Sequence, residues 1–378
     1  MSGFPDMAST GLRQGRDRGR RWIEVESGGC RELFLTMPAL PGESAADLFQ
    51  RFYAWIEAEP HWRILRQEVF GVVGGPAAGR GSLHRLDGSH WPVTWVEQGN
   101  GQGSPVAGLQ VHAIGGVETR PVRWGGRTVG VTYEDERGRH CVLGGLLPPD
   151  PTASREAQAE AVFDLAERVL AEAGFRFEHV YRTWFYLDDI LEWYDAFNAV
   201  RNRFFQQRGI YDRLVPASTG IGGNNPAGAA LTGDLMAVIP ASAELRLEAV
   251  PSPLQCPALE YGSSFSRAVE VAWPGQRRLL VSGTASIEPG GATAHVGDVE
   301  AQVATTMEVV HAILRSRGMD WADTTRAIAY FKHAHDTRAF EKYCRRQGLP
   351  DLPVVVTKND VCRDDLLFEL ELDAIRVG

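Results

Sequence analysis

"EAQAEAVFDLAERVLAEAGFRFEHVYRTWFYLDD", residues 156–189, and "EAQVATTMEVVHAILRSRGMDWADTTRAIAYFKH", residues 300–333, align without a gap. They share Glu156/Glu300, Ala157/Ala301, Gln158/Gln302, Gly174/Gly318, Arg182/Arg326 and Tyr186/Tyr330. A duplicated unit constrains the architecture before any motif does. Each copy follows a strand that runs into a Gly-containing turn, "HCVLGGLLP" from His140 and "RLLVSGTAS" from Arg278. Each leads to a second amphipathic helix, "LEWYDAFNAVRNRFFQQRG" or "DTRAFEKYCRRQG", and then to a Pro-led apolar strand region. The spacing predicts a unit of strand, strand, helix, strand, helix, strand. The first helix closes at Gly174 or Gly318, where a left-handed cap suits glycine.

Helices grouped on one face of a small mixed sheet make an α+β layer, and the other face then needs a cover. A further copy of the sheet supplies it, which predicts sheets packed into a barrel-like core with the helices outside. "RELFLTMPAL", "SAADLFQRFYAWIEAE", "RILRQEVFGVV" and "WPVTWVEQ" read as a divergent third copy. Three sheets in one chain give a pseudo-trimeric arrangement within a monomer. The expected organisation is a disordered basic tail at 1–22, then an N-terminal domain over 23–250 (divergent part 23–115, module 116–250) and a C-terminal domain over 251–378. The Gly/Pro-rich segment 74–104 and the segment 250–257 read as connecting loops.

With 44% hydrophobic and 23% charged residues, the chain has a globular composition. Its formal charge of −9 argues against nucleic acid as the main partner, because a phosphate backbone demands a basic face. The five cysteines fall in no CxxC or metal-ligand spacing, so reduced thiols and a cytoplasmic setting are expected. No run approaches the roughly 18 apolar residues of a membrane span, and the first residues lack the apolar core of a secretion signal.

"NDVCRDDLLFELELDAI", residues 359–375, reads as the last strand. Leu366, Phe368, Leu370 and Leu372 point one way, and Leu367, Glu369, Glu371 and Asp373 the other. A row of acids fits a solvated face of an antiparallel sheet. It also fits a catalytic carboxyl mounted on a rigid element.

The repeat resembles the YjgF/YER057c/UK114 (RidA-like) superfamily, through "VSGTAS", "TTRAIAYF", the helix ending at Gly348 and "CRDDLLFELE". Within it the chain is most similar to the chorismatases, through "EYGSSFSRA" (260–268), "LLVSGTASI" (279–287), "HVGDVEAQ" (295–302) and "DVCRDDLLFELE" (360–371). The likeness runs from about residue 30 to the end and is densest after 255. It implies conversion of chorismate to pyruvate plus a hydroxybenzoate, 3-hydroxybenzoate favoured over 4-hydroxybenzoate, or to a dihydroxycyclohexadiene carboxylate by hydrolysis. No metal or organic cofactor is implied, and the sequence carries no zinc spacing, Walker A loop or dinucleotide fingerprint. Chorismate is the implied partner, and a monomer or small homo-oligomer the implied state.

Pyruvate release from an enol ether needs a carboxylic acid that stays protonated near neutral pH, and burial provides this by penalising the charged form. The family's acid aligns with Glu369, and Glu371 on the same face is the alternative; the corresponding stretch of the first repeat, "ALTGDLMAV" (230–238), has no Glu. Two substrate carboxylates call for guanidinium groups. Arg267 in "FSRA" matches a family segment beside the site, and Arg182 and Arg201 are further candidates. Tyr186 and Tyr194 are candidate donors to a ring hydroxyl or ether oxygen; as core residues they need no such role. Ser282, Gly283, Thr284 and Ala285 read as a turn whose small side chains let a ligand approach backbone N–H groups, with Thr219 in "PASTGIGG" a similar element. Cys362 lacks an adjacent His or Asn and reads as a small residue shaping the pocket, together with Ala285.

Two rival functions remain at this level. An imine or enamine deaminase of the simple RidA type would carry an arginine just after the proline that leads into the last strands, whereas Pro353 is followed by Val354, Val355 and Val356. A non-catalytic metabolite-binding module is the other, since one fold serves many roles.

Overall fold

A computed structural model describes residues 11–17, 19–27, 29–71, 90–97 and 106–378. It contains three six-stranded sheets. The first holds β1 (Leu12–Asp17), β2 (Arg20–Ser27), β3 (Cys30–Pro38), β4 (Arg63–Phe70), β5 (Val93–Val96) and β6 (Gly108–Gly115), in spatial order β1-β2-β3-β6-β4-β5. The second holds β7 (Thr119–Trp124), β8 (Arg127–Asp135), β9 (Gly138–Leu146), β10 (Val180–Leu187), β11 (Ala217–Gly222) and β12 (Leu231–Pro240), and the third β13 (Arg246–Val250), β14 (Ala268–Trp273), β15 (Gln276–Ala285), β16 (Thr324–Phe331), β17 (Val354–Lys358) and β18 (Phe368–Val377). Their orders, β7-β8-β9-β12-β10-β11 and β13-β14-β15-β18-β16-β17, are the same pattern. The divergent N-terminal stretch is therefore a third copy of the unit. Among the described residues the α-helices are α1 (Ala45–Ala58), α2 (Arg155–Glu172), α3 (Ile190–Gln207), α4 (Val299–Ser316) and α5 (Arg338–Gln347). None is long and apolar enough to cross a membrane.

Local chemistry accounts for the helix bounds. Ser44, Ser154 and Asp298 accept from the backbone N–H three residues on, at the starts of α1, α2 and α4. Gly174 and Gly318 stand at φ +78° and +67° just beyond α2 and α4, as the caps require.

The fold is α+β with three tandem units of one topology, as the repeat predicts, but among the described residues the sheets keep separate hydrogen-bonded ladders and no closed barrel forms. One face of each sheet packs on its own helices: Phe163, Phe185 and Phe204 in the second unit, Met307, Phe331 and Phe368 in the third, and Phe49, Phe52 and Val111 in the first. The opposite faces meet in a shared core that includes Leu65 and Phe70, Tyr133, Trp184 and Met236, and Leu280, Ile328 and Tyr330. The repeat pattern predicts four strands per unit where six are present, because an edge strand such as β13 carries no apolar run and the Pro-led region read as one strand holds two, β17 and β18. The tail expected over 1–22 is corrected from Leu12 onward: β1 and β2 form an antiparallel hairpin on the edge of the first sheet, with Ile23 and Val25 buried. Alternating arginines suit such an edge and disguise it as a polar tail. Residues 1–10 lie outside the described residues, as does much of the expected loop 74–104, within which β5 is a strand.

Equivalent strand positions cross-link the units in a cycle. Arg66, Arg182 and Arg326 each follow the same register shift in β4, β10 and β16. Each reaches the next unit: Arg66 donates to Asp234 (2.7 Å), Arg182 to Glu371 (2.9 Å) and Arg326 to Gln110 (3.0 Å). The acceptors are themselves equivalent, paired opposite Trp184, Ile328 and Glu68. Two residues earlier on the same strands lie Thr232, Glu369 and Gly108, opposite Tyr186, Tyr330 and Phe70.

A second buried cluster ties the three units together at Glu32. Its carboxylate accepts from Arg278 at 2.6 Å and Arg137 at 2.9 Å and pairs with His112 at 2.8 Å. Burial pushes this carboxyl up, but the guanidinium groups of Arg278 and Arg137, helped by His112, hold it well below the usual carboxylate range. A carboxyl depressed in the folded state stabilises fully above its unfolded value and loses that contribution as pH falls through the folded one. Glu32→Gln is thus expected to cost about 3–5 kcal/mol in urea unfolding at pH 7, the order found for breaking a buried pair. The gap between variant and parent should shrink as pH is lowered below about 4.

Candidate active site

The acidic face of β18 is interior. Glu369, Glu371 and Asp373 are 5%, 0% and 5% exposed, because the second sheet covers the face that alternation alone would give to water. Phe368, Leu370 and Leu372 pack toward the helices as expected. Leu366 instead turns into the shared core, since β18 begins only at Phe368 after a turn closed by Leu366 N–H on the Arg363 carbonyl.

Ser282 to Ala285 are not a turn but the bulged end of β15, where the pairing with β18 shifts between Val281 and Thr284. A bulge turns side chains and opens space beside the partner strand. Ala285 lies opposite Glu369 in the ladder. A Cβ on Gly283 would stand 2.1 Å from Glu369 Oε1, so the absent side chain is the room that the carboxyl occupies. The surrounding polar groups hold the bulge. Gly283 N–H donates to Thr219 Oγ1 at 3.1 Å; Ser282 Oγ donates to the Ser266 carbonyl and accepts from Ser218 N–H; Thr284 Oγ1 donates to the Ser282 carbonyl. The backbone N–H of Gly283 is therefore engaged within the protein.

The two candidate acids differ sharply. Glu371 accepts from Arg326 Nη2 (2.7 Å), Arg182 Nη2 (2.9 Å), Trp184 Nε1 (3.1 Å) and the Thr219 hydroxyl. Burial opposes its charge, but Arg326 and Arg182 outweigh burial and hold it below the ordinary glutamate value. Glu369 accepts no such bond among the described residues. Burial, reinforced by the charge of Glu371, pushes its carboxyl up to about 8 against the pull of Arg182 and Arg267. One face of one strand thus carries an ionised glutamate and a neutral one, two residues apart.

Arg201 and Arg267, 1% and 4% exposed, flank the ring of Phe265, at 6.0 and 5.7 Å from its centroid. Arg267 donates Nε and Nη2 to the Cys256 carbonyl (3.0 and 2.8 Å), which fixes the plane of its fork. Arg201 bonds Asn198 at 2.5 Å, and its buried Nε meets no partner among the described residues. The Cys362 thiol is pushed up to about 12 by burial and the nearby Glu369, with Arg363 and Arg201 opposing, so it is not a thiolate nucleophile near neutral pH. Tyr194, on α3, lies against β11, its hydroxyl 3.2 Å from where a Cβ on Gly220 would be.

The seam between the second and third sheets therefore gathers Glu369, Glu371, Gly283, Thr219, Ala285, Cys362, Arg267, Arg201 and Arg182. Arg182 is wholly buried against Glu371, Thr219 and the face of Trp184 (4.3 Å), not at the surface. Tyr186 points to the shared core and donates to Glu68 at 2.8 Å. Sequence reasoning missed Phe265, and also Glu68 and Arg66, which join Tyr186 and Arg326 in the central cluster. For Arg66, the signal is its register with Arg182 and Arg326.

The chain is similar to several known proteins. The family described as Endoribonuclease L-PSP matches residues 136–224, the first of the two aligned repeats and not the stretch after 255. A crystal structure of a chorismatase superposes with a TM-score of 0.63 at 22% identity, covering 82% of this chain and 93% of that one, which establishes a shared fold. The 3-hydroxybenzoate synthase of Streptomyces hygroscopicus is 28% identical over 275 residues, 65% of this chain and 76% of that protein. A chorismatase of Streptomyces rapamycinicus is 32% identical over 213 residues, 50% of this chain and 62% of its own length, so that match spans less than two-thirds of the relative. The resemblance to the chorismatases and their RidA-like modules, read from the repeat and the last strand, is shown by these matches together.

Proposed function

We propose that this protein converts chorismate to pyruvate and a hydroxybenzoate, 3-hydroxybenzoate before 4-hydroxybenzoate, with Glu369 as general acid. The observation that carries this is the Glu369 carboxyl, buried beside the Gly283 gap, with Arg267 near it and Arg201 near the adjoining Cys362. Glu369 gives its proton to the methylene carbon of the enolpyruvyl group. The bond from ring carbon 3 to the ether oxygen breaks and pyruvate leaves. The hydroxyl oxygen on carbon 4 closes onto carbon 3 with loss of its proton, and the bridging oxygen is then released from carbon 4 and reprotonated. The C–H proton on carbon 3 is lost as the ring becomes aromatic, so no water is consumed and the oxygen ends at the 3-position. Loss of the carbon-4 proton without that migration gives 4-hydroxybenzoate. Arg267 and Arg201 bind the substrate carboxylates, and Phe265 between them presents a flat apolar wall to the ring. Two curated relatives bearing the names 3-hydroxybenzoate synthase and chorismatase support the substrate and the favoured product. On this proposal the domains 23–250 and 251–378 meet at the reacting seam, and the enzyme acts in the cytoplasm on a small molecule.

Incubating the purified protein with chorismate and resolving the products by chromatography tests it. Equal amounts of pyruvate and hydroxybenzoate are expected. Pyruvate with a non-aromatic dihydroxy acid assigns the hydrolytic route instead, and absence of pyruvate overturns the proposal. Because the acid must be protonated to act, the rate should fall as pH rises through about 8.

A further inference from the structure

Glu371 touches no open space, yet it organises everything around the acid of the site. Two guanidinium groups, Arg182 from β10 and Arg326 from β16, end on its carboxylate, and the indole N–H of Trp184 and the hydroxyl of Thr219 complete the shell. Thr219 also accepts from Arg182 at 2.8 Å and from Gly283 N–H at 3.1 Å. The chain of bonds therefore runs from Glu371 through Thr219 to the bulge on which Glu369 rests. In its absence two buried carboxyls on the same strand face would be left to Arg182: Asp373, whose charge it already feels, and Glu369 itself.

We propose that Glu371 is a positioning residue, an internal anion that takes up Arg182 and Arg326 so that neither pairs with Glu369, and that it thereby keeps the reacting carboxyl neutral. The groups facing Glu369 are few and can be named: Glu371 on its own strand, Arg182 from β10, Arg267 from the segment before β14, Tyr330 from β16, and Cys362 from the loop before β18, with Arg201 of α3 behind the thiol. Those facing Glu371 besides its partners are Glu68 of β4, Tyr186 of β10 and Tyr330, while Arg326 is shared with Glu68 and Asp373. Arg182 is the one cation common to both shells. An anion at 371 both occupies that cation and repels a second charge at 369, and the two effects act in the same direction.

The inference rests on Glu369 being the acid of the proposed reaction, but its test reads the carboxyl directly. Infrared spectroscopy of the full-length protein identifies the protonated carboxyl stretch of Glu369 as the band lost in Glu369→Gln. In Glu371→Gln the midpoint of that band should move down by about one pH unit or more, leaving about tenfold less neutral Glu369 on the alkaline side. The alkaline limb of the rate profile should move with it. Glu371→Asp keeps the anion and serves if the amide variant does not fold; it should shift the midpoint in the same direction but less, and retain most of the parent profile. A band that titrates at the parent pH in folded Glu371→Gln overturns the inference, and so does a band displaced by about one pH unit or more in Glu371→Asp, where the anion is kept. A shifted band in a protein that releases no pyruvate from chorismate sustains the inference and removes the proposed function instead.

Discussion

Glu369→Gln is expected to reduce pyruvate release from chorismate by about 10²–10⁴-fold, the usual range for a positioned general acid, while leaving the fold intact. The substitution is close to isosteric. In the parent the carboxyl is held neutral by burial and the adjacent Glu371 charge, so an amide brings in no new electrostatic conflict. Thermal unfolding should therefore be nearly unchanged while turnover collapses. Product analysis under single-turnover conditions checks the loss, and circular dichroism checks the fold. Turnover within a few-fold of the parent would remove Glu369 from the mechanism. The same substitution at Glu371 reads differently: it strands Arg182 and Arg326 in the interior, so its penalty should appear in stability as well as in rate.

Gly283→Ala should be nearly as damaging, for a purely geometric reason. The added methyl falls 2.1 Å from Glu369 Oε1, 3.0 Å from its Cδ and 3.2 Å from Thr219 Cγ2. The conflicting atoms are side-chain ends, so the backbone can stay in place while the carboxyl swings away from its seat. A displacement of about 1 Å at a reacting group costs on the order of 10²-fold in rate. A loss of that size in kcat, with retained secondary structure and a small change in melting temperature, is the expected result. Parent-like kcat would mean that the acid reaches its proton acceptor from another rotamer and that the gap at Gly283 does not seat it.

How much of this could be read from the chain depends on what each pattern encodes. The two ungapped repeats carry the unit almost whole, because Gly174 and Gly318 punctuate the same helix and Arg182 and Arg326 sit at the same strand position. The third copy is weaker in identity but keeps the order of apolar runs. Alternation along β18 sorts its side chains into two sets correctly from Phe368 onward, but period two cannot say which set meets water. That is decided by a sheet more than 100 residues away in the chain, through Trp184, Arg182 and Thr219. The run Ser282 to Ala285 looks like a turn because small residues mark turns and bulges alike. Arg66 belongs with Arg182 and Arg326, but the residues around it have diverged, and only strand pairing reveals the match. Phe265 carries no motif; its place between two arginines follows from the path of the chain before β14.

The equivalence of Gly108, Thr232 and Glu369 bears on how such a site comes to exist. An assembly of three identical subunits must repeat every side chain at each of its seams, and an acid that suits one seam is imposed on all. Covalent fusion lifts that obligation. Each seam can then lose or acquire its own chemistry while the cycle of arginine contacts continues to hold the whole together. A lone glutamate on the final strand, with glycine and threonine at its two counterparts, is what such freedom to diverge produces.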